Sequence, residues 1–186
     1  MFCIEYEILD DEKNRLISLK EIEEFESDFN TIVGQIHLKF DNEEIGFIDR
    51  EIPYEGEFVL TWLQRLNTVI MQLQSNAFVT MSIPDSADIW LEFKKIDKML
   101  LVTQIRAKAE EHVQEFVTNM PKTREECCWT EHILIKDFKE QILMTTDRFI
   151  KEIVSLNELL LTARGVIELG NLFQKAKESI HCGVEL

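Results

Sequence analysis

The apolar positions change period several times along the chain, and each change predicts an element. Between Asp137 and Leu161, Phe138, Ile142, Phe149, Ile153, Leu156 and Leu160 recur at helical steps, a period no strand keeps on one face. Asp137 followed three residues later by Glu140 reads as the start. A second row, Leu143, Ile150, Val154 and Leu161, widens the stripe. The spacing therefore predicts a long helix over 137–161, packed on two sides.

Elsewhere the period is two. Phe2, Ile4, Tyr6 and Ile8 alternate with polar residues and predict a half-buried strand over 2–9. An acidic connection follows, in which Ile22 and Phe25 suit a short helix. Residues 33–50 read as a hairpin turning at Asp41-Asn42-Glu43-Glu44 and ending before Pro53. Phe58, Trp62, Leu66, Val69, Ile70 and Leu73 then predict a helix over 57–74. Residues 77–106 predict a three-strand meander. Residues 107–120 are open between helix and strand, with Ala109, Val113, Phe116, Val117 and Met120 fitting a helix better. A last strand carries Trp129, Ile133 and Ile135 straight into the long helix, and a final amphipathic helix spans 166–180. Short joins favour antiparallel pairing. The fold class expected is α+β: an antiparallel β-sheet meander with helices packed mainly on one face, long C-terminal helices, and a single domain over 1–186.

Charge changes this picture more than composition does. There are 35 acids and 20 bases, a net of −15, and residues 1–60 hold 17 acids against five bases, a net of −12. Such a field disfavours nucleic acid and anionic membranes and favours a basic protein partner; solubility is the plainer use of the same charge. No apolar run approaches the roughly 20 residues that span a bilayer, and the acidic start, Met-Phe-Cys-Ile-Glu-Tyr-Glu, lacks a signal-peptide pattern. A cytoplasmic chain with reduced cysteines is expected.

Candidate chemistry is sparse. Asp41 to Gly46 starts like a calcium loop, but Ile45 and Ile52 stand where carboxylates are needed. Cys127, Cys128 and His132 lack the paired spacing of a zinc site and read as core cysteines beside a surface histidine. No nucleophile elbow or phosphate loop occurs, so neither an enzyme nor a cofactor is implied. Trp90 falls opposite in phase to Leu91 and Phe93. Were the sheet open on that side, Trp90 beside Asp88 and Glu92 would form an anchor for a basic partner; the plainer reading is that another element covers it.

Gly34-Gln35-Ile36-His37-Leu38, a helix bearing Phe58, Trp62, Leu63 and Leu66, then Asp88 to Phe93, and a late helix with Phe149, Glu152, Ile153 and Asn157 form a layout. It resembles small acidic bacterial immunity proteins of polymorphic or contact-dependent toxin systems. The resemblance implies a stoichiometric inhibitor without catalysis, binding a basic, nuclease-like toxin domain. The contact residues expected are Glu43, Glu44, Asp85, Asp88, Trp90 and Glu92, on predicted turns and one strand face. A homodimer through the helices 137–161 and 166–180 is the alternative, and a small-molecule binder with a pocket between sheet and helices is the third.

Overall fold

The computed structural model describes residues 1–27, 30–52, 56–108 and 115–181. Strand β1 (Phe2–Ile8) buries Phe2, Ile4, Tyr6 and Ile8, as its alternation dictates. Helix α1 (Asp10–Ser18) follows at once, then α2 (Ile22–Ser27). The hairpin β2 (Val33–Phe40) and β3 (Glu43–Gly46) turns at Asp41, whose φ of 55° suits a short polar side chain. A two-residue strand β4 (Glu57–Phe58) leads into α3 (Val59–Ser75). The predicted meander forms β5 (Phe78–Ser82), β6 (Ile89–Ile96) and β7 (Met99–Ala107). After β8 (Val117–Thr118) comes β9 (Arg124–Leu134), which runs directly into α4 (Ile135–Leu156). A 3₁₀ turn (Glu158–Thr162) and α5 (Arg164–His181) complete the order.

The class is α+β with antiparallel pairing throughout, and the strands divide between two sheets. One has the order β1-β2-β3, with β4 also on β2; the other is β8-β5-β6-β7-β9. One hydrophobic core takes in side chains from both. Aromatic rings stitch them: Phe2 lies 5.1 Å from Phe40 and from Phe138, Phe93 lies 5.3 Å from Phe138, and Phe40 lies 5.3 Å from Trp129. Helices α3 and α4 pack on these inner faces and meet through a buried hydrogen bond from Asn67 Nδ2 to Thr146 Oγ1, 2.8 Å.

Two boundaries differ from expectation. The long helix starts at Ile135, so Asp137 lies within its first turn and does not cap it. It ends at Leu156 because Asn157 turns extended: its Oδ1 accepts from Leu159 N–H, and its Nδ2 donates to the carbonyls of Leu16 and Leu19 at the end of α1. Leu161 is consequently exposed. Residues 109–114, with Ala109 and Val113, lie outside the described residues. Within 115–120, which the spacing left open between helix and strand, the strand holds: Val117 and Thr118 pair with Met81 and Thr80.

Candidate interaction surfaces

The structure scatters the six predicted contact residues. Glu43 and Glu44 belong to β3 beside the far end of β2, with Glu44 Oε2 3.1 Å from His37 Nε2. Asp85, exposed with φ 59°, sits in the β5–β6 loop. It shares a cleft with Thr31 and Phe58, next to the near end of β2. The two groups are therefore most of a strand apart, roughly 20–23 Å. Asp88 accepts from Ser86 Oγ and lies 3.2 Å from Arg106 Nε.

Trp90 and Glu92 are corrections. Both occupy the outer face of the five-stranded sheet, turned away from the main core, as their phase requires. Yet Trp90 is 1% and Glu92 3% exposed. Among the described residues, the cover is 119–123. They run from β8, at one sheet edge, to β9, at the other, so they must cross four strand spacings, about 19 Å. Six residue steps reach only about 20–22 Å when fully extended, so the connection is a taut strap. Thr80 Oγ1 donates to Met120 O, 2.9 Å, and Lys108 N–H donates to Thr123 O, 3.1 Å. Lys122 Nζ stands 4.2 Å from the Trp90 ring centroid, and the Arg124 guanidinium pairs with the Glu92 carboxylate. Beneath the strap Trp90, Ile105 and Ala107 form a separate small core. Trp90 is a strap anchor, and Glu92 spends its charge within the chain.

Beyond the strap the same face is partly open among the described residues. Pairing registers place Phe78, Lys94, Leu101 and His132 in one row across β5, β6, β7 and β9, and Ile96, Met99 and Leu134 in the next. Ile96 is 42% and Leu134 46% exposed; Phe78, Met99 and Leu101 are half-buried, while Lys94 and His132 are exposed.

A different surface carries the acids. Of the described acidic residues in 1–60, Glu12 is the one that is buried. Its carboxylate accepts from Arg15 and from Val33 N–H, 3.0 Å, and ties α1 to β2. The rest stand at least partly in water. Glu7, Asp10, Asp11 and Asp49 line a cleft of about 430 Å³, with Arg50 Nε 2.9 Å from Glu7 Oε2. Gln35, buried at its floor, bonds Asp49 N–H, Asp49 O and Ile52 O, and so holds the loop that forms one wall. The pattern of charge hinted at this surface; the buried Gln35 that shapes it had no signal.

A second cleft, about 490 Å³, is lined by Phe58, Arg65, Ile83, Asp85 and Phe116. Arg65 Nη1 donates to Ser82 O and Oγ, 2.8 Å each, its guanidinium lies 4.2 Å from the Phe116 ring centroid, and burial lowers its pKa to about 10. These contacts join α3 to the end of β5 and to Phe116, just before β8.

Cys127 and Cys128 are not core residues: both are exposed on β9, where two register shifts bulge the strand. Among the described residues no group of three or more His, Cys, Asp or Glu could hold a metal ion, and no helix is long and apolar enough to cross a membrane. Of the stripes offered for a homodimer, Phe138, Ile142, Phe149 and Ile153 of α4 and Leu169 and Ala176 of α5 are buried within the fold, while Leu143, Ile150 and Val154 are half-buried and Leu161 is exposed. No family model, curated protein or solved structure matches the chain.

Proposed function

We propose that this chain is a protein-binding protein that neutralises a basic partner by stoichiometric contact, in the manner of acidic immunity proteins that block a toxin domain. The observation that supports this reading is the placement of the acids of the first third. Apart from buried Glu12, those described stand at least partly in water on β1, α1, α2, β3 and the loop after it, and Glu7, Asp10, Asp11 and Asp49 line an open cleft in which Arg50 pairs with Glu7 and Lys13 with Asp10. Such a field accelerates encounter with a basic surface and fixes its orientation. Inhibition then needs only steric cover of the partner's site, with no chemistry from this chain.

The test is capture of partners from lysate by the immobilised chain and by a variant with Asp10, Asp11, Glu43 and Glu44 neutralised to Asn or Gln. One basic protein, retained by the parent in low salt and largely lost by the variant, supports the reading. Equal retention by both would place the contact elsewhere and contradict it.

A further inference from the structure

Arg65 stands in the second cleft with its charge unmatched. Ser82 holds its Nη1, and the Phe116 ring covers one side of the guanidinium. Its Nε and Nη2 donors meet no acceptor, and no carboxylate pairs with it, among the described residues. Burying a charge is costly unless it is paired. Asp85 lines the same cleft from the β5–β6 loop, is exposed, and likewise has no ion pair among the described residues. Burial lowers the Arg65 pKa and nearby Asp85 opposes that shift, so the two charges feel each other without closing into an ion pair. A cation and an anion that share a cleft without touching leave room for a molecule that carries both charges.

The walls narrow the ligand further. Phe58, Ile83 and Phe116 give the cleft an apolar lining, and its volume of about 490 Å³ falls toward the small end of ligand sites. Thr31 lines it too; the residue is 7% exposed, and its hydroxyl meets no hydrogen-bond partner among the described residues. Native folds seldom leave such a group unmet. The frame is held from within the chain. Ser82 N–H donates to Phe116 O, Ser86 N–H to Ile83 O, and Ile89 N–H to Ser86 Oγ, which fixes the β5–β6 loop.

The surrounding charge argues against a plain anion. An adjoining cleft shares Arg65 and is also lined by Glu115 and Glu168. Among the described residues lining the two, Arg65 is the cation, and Asp85, Glu115 and Glu168 are the acids. A phosphate or a dicarboxylate would meet more repulsion than attraction there, whereas a ligand of zero net charge would not.

We propose that this cleft binds a free α-amino acid with an apolar side chain: its carboxylate on the open edge of the Arg65 guanidinium, its ammonium toward Asp85, and its side chain against Phe58 and Ile83. The site uses none of the acids changed in the capture experiment, and it stands whether or not the neutralising role does.

The test titrates the isotopically labelled full chain with L-phenylalanine, with 3-phenylpropionate, which lacks the ammonium, and with phenethylamine, which lacks the carboxylate. L-Phenylalanine is expected to shift the amides of Thr61, Arg65, Ala87 and Phe116. Phenethylamine should bind roughly tenfold more weakly, because it leaves the half-buried guanidinium unmatched. Phenylpropionate should lose roughly threefold, since Asp85 is exposed. Asp85→Asn keeps a residue suited to φ 59° and spares folding; it should erase the advantage of L-phenylalanine over phenylpropionate. Arg65→Lys keeps the charge but loses the planar fork, and should weaken both carboxylates severalfold while leaving phenethylamine unchanged. Absence of shifts in the cleft, binding of either analogue as tight as that of L-phenylalanine, or an unchanged preference in Asp85→Asn would overturn the proposal. So would glycine binding as tightly as L-phenylalanine, which would leave the apolar wall without a role.

Discussion

Lys122 Nζ lies 4.2 Å from the centroid of the Trp90 ring, so a lysine from the strap caps the indole on the outer face of the sheet. A few residues on, Arg124 closes over Glu92. The two contacts act together: the cation–π contact shields the indole, and the ion pair pins the strap's far end. Arg124→Ala leaves a carboxylate that is 3% exposed without its cation. A fully buried pair broken this way costs about 3–5 kcal/mol. Arg124 is half in water, so about 2 kcal/mol is expected. Chemical denaturation measures it, and acrylamide should reach Trp90 in the variant more readily than in the parent. Adding Glu92→Gln should recover part of the loss.

The Asn67–Thr146 bond joins α3 to α4 where both side chains are fully buried. Asn67 Nδ2 also donates to Leu63 O, and Thr146 Oγ1 donates to Ile142 O. Thr146→Val keeps the shape but strands one amide N–H. An unmet buried donor costs about 1–3 kcal/mol, and the denaturation midpoint is expected to fall accordingly. Asn67→Leu with Thr146→Val should cost less than the two changes summed, because the stranded donor is gone.

Gly34 is required by close approach. A Cβ there would lie 2.4 Å from the Glu7 carbonyl oxygen and 2.9 Å from Val59 Cγ2. The oxygen belongs to the β1–β2 ladder and cannot yield. Gly34→Ala is expected to destabilise by about 1–3 kcal/mol or more. Gly170→Ala in α5, where nothing lies within 4 Å, is expected to stabilise by about 0.5–1 kcal/mol through helix propensity. Thermal melts of the two variants check the contrast.

Tyr6 donates its hydroxyl to Glu152 Oε2, 2.8 Å, beneath the Arg148 guanidinium. Burial first, then the bond to Glu152, raises its pKa well above the ordinary value of 10.0. The folded state therefore holds the neutral phenol. That stabilisation is fully present below pH about 10 and fades as pH rises toward the folded-state value. Tyrosinate absorbance from Tyr6 should be absent through the usual tyrosine range and appear with unfolding. Early ionisation in the native state would contradict the bond.

Periodicity carried much of this fold. The long helix, β1, the 33–46 hairpin and the 77–106 meander follow from spacing alone, because each buries one face. Helix α1 left no such trace: Leu16 is its one buried apolar residue, and its buried Glu12 serves the Val33 amide. Nor could spacing reveal two sheets, since pairing partners are set by long-range packing. The phase of Trp90 placed it correctly on the outer face. What lay over it was decided by a five-residue crossing whose tautness appears only once β8 and β9 are known to be opposite edges. The acidic surface was legible as charge, whereas the open part of the outer face needed registers across four strands.

The most direct test of the neutralising role is the association rate of this chain with its captured basic partner, measured across a series of salt concentrations. The account predicts a fast on-rate that falls steeply as salt rises, while the dissociation rate changes little. An on-rate indifferent to salt, or the absence of any basic partner to measure, would contradict it.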